Sequence, residues 1–371
     1  MSYALRTLWH ERQRYVPAVL AIGFSALLMA TQCGLLVGMF AFASIPVDHA
    51  CADVWAGSPG VTSVDLGRPM RETWIAALLV QPEVEQAEAY IQGFGYWLKP
   101  EGGTELCMVI GTRLEEGSLG CPPELTRELR ARLTEPMTIV MDDSDLDRLG
   151  VHGVGDYAQV YIRRVRVVGL THGLRGLAGA YLFCSLDTAR SLLHIEPGQV
   201  TYVLGRCKQP ADAAAVVARL RAATPLSAFT RAEFSRRSRL HWLIRTKAGL
   251  ALGLAAALGL VVGAVVTTQT LAAATAASIR QYAVLWALGI PMWRMASAVL
   301  MQSFWVGALG ILLALSAALL LAPAADELGV RVDLPAWLLG GTATITLLMA
   351  LLSGLASLRA LRRLEPVMLL R

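Results

Sequence analysis

The chain has 371 residues, is 55% hydrophobic and has a mean hydropathy of +0.51, which excludes an ordinary soluble protein. Its net charge of +5 gathers in short flanks beside apolar runs. That charge reads as membrane topology and calls for no nucleic-acid partner.

In chain order, residues 1–15 form a basic flank with Leu5, Leu8 and Trp9 set among Arg6, Arg12 and Arg14. This suits either a short amphipathic helix at the membrane surface or a plain basic flank. Residues 16–45 form a first apolar span, too long for the apolar region of a signal peptide and therefore expected to stay as an anchor. Gly34 and Gly38 lie four apart in it, a spacing that lets helices approach closely in lipid.

Residues 46–230 have soluble composition and are expected to fold as a large α/β domain of two subdomains, the second (about 112–198) inserted into the first. Strands are expected at 53–56, 84–98, 105–111, 137–141, 157–162, 165–170, 181–184 and 201–206. The turn Pro100-Glu101-Gly102-Gly103 joins the second and third strands, and Arg163-Arg164 is expected as a tight turn. Helices are expected at 71–80, 142–149, 185–193 (with Ser185 as its N-cap) and 210–223.

Residues 231–249 are charged and helical, and read as a stalk leading into the second span at 250–278. No charge falls between Lys247 and Arg280, a run of ~30 residues or about 45 Å of helix. A bilayer core needs only about twenty. Gly253, Gly259 and Gly263 offer further small-residue seams. Residues 279–295 are too short and too polar for a span, and read as a helix on the membrane surface. Spans three and four follow at 296–322 and 337–358, joined by an acidic loop at 323–336 and ending in the basic tail 359–371.

Arginine on the N-terminal flank, the second loop and the tail places those segments on the cytoplasmic side and the large domain outside. The cluster Arg236, Arg237, Arg239, Arg245 and Lys247 runs against that rule, from which long translocated domains are largely exempt. Five of the six cysteines fall in the exterior domain, an odd number that leaves at least one unpaired within the chain.

Chemistry is sparse. None of the three lysines sits in a GxxxxGK[ST] loop, and neither GxSxG nor HExxH occurs. The six histidines are scattered, Asp142, Asp143 and Asp145 read as helix capping, and no metal-binding spacing occurs. The spans hold no Asp, Glu, Lys or Arg, which argues against a proton- or ion-coupled carrier. No catalytic, cofactor or metal residue is expected.

Residues 280–290, RQYAVLWALGI, resemble the coupling segment of FtsX/MacB-type ABC transporter permeases, and the tail LRRLEPVMLLR resembles that family's C-terminus. Within the family, ADVWAGSPGVTSVD, VHGVGDYAQV, RVRVVGLTHG and TRAEFSRRS are similar to the DevC branch. Gln281 stands where an acidic residue is usual, Trp286 where arginine or lysine is common, and Gln302 where many members carry glutamate.

The resemblance implies four transmembrane helices with a MacB-like periplasmic domain between the first and second. It implies a mechanotransmitting permease subunit in the bacterial inner membrane. ATP and magnesium would be bound by a separate ABC ATPase dimer that docks on Arg280, Gln281, Tyr282, Leu285, Trp286, Leu288, Gly289 and Arg294. A second copy of the chain, a HlyD-type adaptor and a TolC-type outer-membrane channel complete the expected assembly. The alternatives are an FtsX-like regulator of a cell-wall hydrolase and a LolC/LolE-like lipoprotein-releasing permease.

Overall fold

The computed structural model describes residues 12–245, 247–277, 291–327 and 332–362. They form two compact units, one of residues 40–249 and one of the chain up to Met39 together with the chain from Leu250 onward.

Helix α1 runs Arg12–Ala41. A 3-10 turn (Phe42–Ser44) and the short helix α2 (Ile45–Asp48) follow it. The strands of the domain are β1 (Val54–Gly57), β2 (Met70–Arg71), β3 (Val84–Leu98), β4 (Thr104–Thr112), β5 (Thr138–Asp142), β6 (Tyr157–Val160), β7 (Arg163–Thr171), β8 (Ala180–Ser185), β9 (Gln199–Val200), β10 (Tyr202–Cys207) and β11 (Ser227–Thr230). Between them run α3 (Ile75–Leu79), α4 (Arg127–Arg132), α5 (Leu146–Leu149), α6 (Leu186–Leu193) and α7 (Ala213–Ala223). Helix α8 (Arg231–Arg245) closes the domain, and α9 (Lys247–Ala277), α10 (Met292–Glu327) and α11 (Ala336–Arg362) complete the described chain.

Nine strands form one sheet in the order β11-β1-β10-β3-β4-β8-β5-β7-β6. Strand β3 carries both halves. Its first part pairs antiparallel with β10 (Tyr90 opposite Tyr202), and its second with β4 (Ile91 opposite Gly111). The far end of β3 also pairs with β6 (Trp97 opposite Val160), which closes β3, β4, β8, β5, β7 and β6 into a ring. This second half therefore begins in β3, well before residue 112. The β3–β4 hairpin, turned at Gly102 and Gly103 (both φ +98), supplies two of its walls.

Alternation along the strands builds three cores. Cys107, Val109, Ile139, Met141, Leu182 and Cys184 face into the ring. Their neighbours Met108, Ile110, Val140, Tyr181 and Phe183 face a shared core with Trp55, Tyr90, Tyr202 and Phe229. Val54, Ala56, Ala89 and Val203 face the opposite layer, against Leu78 of α3 and Val216, Val217 and Leu220 of α7. Strands buried on both faces read as continuous apolar runs, as TIVM and YLFC do here.

The β6–β7 turn departs from expectation. Val160 pairs with Arg163, so Tyr161-Ile162 makes the two-residue turn and Arg163-Arg164 lies in strand β7. Tyr161 takes φ +53, a conformation local sequence disfavours. Tertiary bonds hold it there: its N–H donates to the Tyr96 carbonyl (2.8 Å) and its hydroxyl to the Phe94 carbonyl (3.1 Å). Local caps agree with the sequence. Ser185 Oγ accepts from Thr188 N–H (3.3 Å), and Asp142 Oδ1 accepts from Ser144 N–H (3.2 Å).

Four stretches, Tyr15–Asp48, Gly249–Thr270, Val299–Ala325 and Ala336–Leu355, are long and apolar enough to cross a membrane. Leu254, Leu258, Leu312, Leu320 and Leu352 are exposed on them, as lipid-facing side chains are. Tyr15, Ala18 and Ile22 of α1 pack with Val306 of α10 and Ala350 of α11.

Candidate functional site

Most of the proposed ATPase-docking residues (Arg280, Gln281, Tyr282, Leu285, Trp286, Leu288 and Gly289) lie outside the described residues. Arg294 is in the first turn of α10, its guanidinium 5.3 Å from the ring of Trp293, and both side chains are exposed. The seam glycines are dispersed. Gly34 lies against Val332, Asp333 and Leu334, and its carbonyl accepts from Asp333 N–H (3.2 Å). Gly38 is buried. Gly259 faces Leu28, Gly263 faces Ser25, and a Cβ on Gly253 would meet nothing within 4 Å.

A Cβ on Gly34 or on Gly259 would come within 2.8 Å of its neighbour, and comparably close packing occurs at glycines the spacing rule did not single out. A Cβ on Gly310 would sit 2.8 Å from Ile22 Cγ2 and 3.1 Å from Gly23 N, and one on Gly354 2.4 Å from Ser303 Oγ. Beside this seam Ser353 Oγ donates to Thr268 Oγ1 (3.1 Å).

Within the domain, the most developed polar and aromatic construction surrounds α8. The sequence Thr230-Arg231-Ala232-Glu233 has the Thr-x-x-Glu form that starts helices, and Thr230 Oγ1 accepts from Glu233 N–H (3.3 Å). The charged helix then needs a buried stripe to hold it in place, and Phe234, Ser235 and Ser238 provide one. Phe234 stacks on Phe229 with centroids 4.8 Å apart, and lies 5.6 Å from the rings of both Trp55 and Tyr202. One turn on, Ser238 Oγ accepts from Val64 N–H (3.0 Å). A further turn on, Trp242 Nε1–H donates to Asp65 Oδ2 (2.9 Å).

Two arginines of α8 tie it to the segment that follows α1. Arg239 donates from Nε to Ser44 Oγ (2.7 Å) and from Nη2 to Asp48 Oδ2 (2.6 Å). Ser44 Oγ donates in turn to Asp48 Oδ2 (2.7 Å), and Arg231 Nη2 donates to the Asp48 carbonyl. Asp53 bridges the base, its carbonyl accepting from Arg231 N–H (3.0 Å) and its Oδ2 from Cys207 N–H of β10 (2.9 Å). Arg237 covers the Phe229 ring at 5.1 Å. The segments by which the chain enters and leaves the domain are thus joined to each other and to the aromatic core.

Asp65 stands apart electrostatically. It is buried, accepts from Trp242 and from Gln92 Nε2 (3.2 Å), and pairs with no cation among the described residues. Burial pushes its carboxyl up to about 7, and the Trp242 bond only partly offsets this.

In the sequence Asp65 and Phe234 fall in ADVWAGSPGVTSVD and TRAEFSRRS, the stretches that carry the family resemblance, with no role of their own, and Asp48 and Trp242 are unmarked. A second signal is the out-of-place arginine cluster, of which Arg239 is paired with Asp48 and Arg237 stacks on Phe229. No group of three His, Cys, Asp or Glu side chains able to hold a metal occurs among the described residues.

A family model described as the MacB-like periplasmic core domain matches residues 18–223, more than half of the chain. A second, the FtsX-like permease C-terminal region, matches residues 253–366. Among solved structures, the periplasmic region of MacB from Actinobacillus actinomycetemcomitans is similar at 11% identity and a TM-score of 0.34, over 51% of this chain and 94% of that one. The extracellular domain of the noncanonic ABC-type transporter YknZ from Gram-positive bacteria is similar at 12% identity and a TM-score of 0.32, over 48% and 98%. No protein with a curated description matches. With both halves of its layout matched by the models of one permease architecture, the chain belongs to the FtsX/MacB-type ABC transporter permease family.

Proposed function

We propose that this chain is the mechanotransmitting permease subunit of a DevC-like tripartite exporter in the bacterial inner membrane, with both termini cytoplasmic. Members of the family are generally transporter subunits with an ATPase partner, working as dimers. In this reading two copies of the chain join an ABC ATPase dimer, which binds ATP and magnesium and closes against residues 279–295. The movement reaches the exterior domain through α8, and that domain acts on a HlyD-type adaptor and a TolC-type channel. The observation that carries the reading is the double anchorage of α8, by Phe234 into the aromatic core and by Arg239 to Asp48. A helix that only linked two parts would need neither.

The test is affinity purification of the tagged chain from its own membranes, with mass spectrometry of the associated proteins. An ABC ATPase recovered with a periplasmic adaptor supports the exporter. An ATPase with a cell-wall hydrolase, or with a second permease and no adaptor, replaces it by the regulatory or the lipoprotein-releasing reading.

A further inference from the structure

The two ends of α8 are held differently. Its first half is secured by the apolar burial of Phe234, the Ser238 bond and the Arg239–Asp48 pair. Beyond Arg239, Leu240 and Ile244 are exposed, and Trp242 reaches back to a carboxylate. We propose that Asp65 and Trp242 form a proton-controlled latch, in which a proton on Asp65 fastens the C-terminal half of α8 to the domain and loss of that proton loosens it.

The argument begins with what surrounds Asp65. From α8 it meets Trp242, and from β3 the Gln92 amide. Three phenols face it, those of Tyr90 (β3), Tyr181 (β8) and Tyr202 (β10), each pushed upward in pKa by burial first and by the Asp65 charge second. They stay neutral across the physiological range and do not compete for the proton. The Tyr181 hydroxyl is committed to the Phe42 carbonyl (3.0 Å) and that of Tyr202 to the Val64 carbonyl (2.8 Å). Of the charged groups on α8, Arg239 is paired with Asp48, and His241, next to Trp242, is held below its ordinary pKa by burial and then by Arg245. Glu88 of β3 is buried elsewhere, against Ser118 Oγ (2.9 Å) and Leu119 N–H (2.9 Å). A carboxylate in such a place is a buried charge without a counter-ion, and its neutral form is favoured.

Trp242 is the α8 side chain that bonds it. When the end of α8 moves away, Asp65 meets water and regains an ordinary affinity for protons. The docked state therefore binds the proton more tightly than the released state, and docking strengthens as pH falls. Acid closes the latch, and a pH above neutral opens it. The side-chain amide of Gln92 suits both forms, since its oxygen, which has no partner in this structure, can accept from a protonated carboxyl once the amide is turned over. The consequence for transport rests on α8 being the transmitting element, but the latch itself does not.

The test is hydrogen–deuterium exchange of the full chain in phospholipid nanodiscs at several pH values, corrected for intrinsic exchange and followed in peptides covering 240–245. Protection there should fall about tenfold between pH 6 and pH 8, as the docking equilibrium follows the Asp65 proton. Peptides from β5 serve as the unchanging reference. Asp65→Asn should keep 240–245 protected at every pH, and Trp242→Phe should lower protection and flatten its pH dependence. Protection that is independent of pH in the native chain overturns the latch, as does a pH dependence that persists undiminished in either variant. If Asp65→Asn disturbs the β5 peptides, Trp242→Phe decides alone. A failed latch leaves the co-purification result untouched, so the two proposals fail separately.

Discussion

Arg239 of α8 and Asp48, at the end of the segment following α1, lie 191 positions apart in sequence and meet at 2.6 Å. That bond links the strand of chain coming into the domain with the one going out. Both partners are substantially exposed, so the pair contributes less than about 1 kcal/mol to folding. Its value is geometric. Arg239→Gln should leave thermal unfolding of the domain nearly unchanged, while transport-coupled ATP hydrolysis in the reconstituted complex falls severalfold. A large loss of stability with coupling intact would make the pair a simple structural contact.

Phe234 should behave in the opposite way. It is fully buried and stacked among Phe229, Trp55 and Tyr202. Phe234→Ala should destabilise the domain by about 3–5 kcal/mol. Chemical denaturation followed by circular dichroism measures this, and a change below about 1 kcal/mol would show that α8 is not rooted in the core.

Stability should depend on pH through Asp65. Burial pushes its carboxyl from the ordinary 3.8 up to about 7 in the folded domain. The folded state therefore holds the proton more tightly. Asp65 makes no adverse contribution below about pH 4, and its cost grows as pH rises to about 7 and is constant above. Denaturation midpoints of the native chain should fall over that interval relative to Asp65→Asn. At pH 8 the variant should be the more stable of the two.

The segment 279–295 carries the coupling proposal. Trp286→Asp or Leu288→Asp should abolish ATPase association and turnover while leaving the chain inserted and dimeric. Pull-down and hydrolysis assays on purified membranes check this, and unchanged association would exclude the segment as the docking site.

Gly310 tests the helix seam. A side chain there would press on Ile22 and on the backbone of Gly23. Gly310→Leu should lower the melting temperature in detergent, whereas Gly253→Leu, which meets nothing within 4 Å in the single chain, should change it little.

The membrane spans, the helices with side-chain caps and the β3–β4 hairpin were legible in the linear chain because each rests on neighbours in sequence. Hydrophobic runs, an N-cap serine and a Gly-Gly turn act within a few residues of themselves. The β6–β7 turn was misread because Tyr161 draws its left-handed conformation from β3 rather than from its own neighbours.

The site was legible only in outline, as family-like stretches that hold Asp65 and Phe234 and as a run of arginines on what charge rules make the wrong side of the membrane. Composition alone determined that this is a membrane protein with a large domain between its first and second spans, and local motifs carried the family. Tertiary structure alone decided which charges matter. Asp65 is an unremarkable acidic residue until Trp242, 177 positions away, bonds to its carboxylate. Its proton affinity comes from removing water and supplying no cation, and neither of those is a property of the chain before it folds.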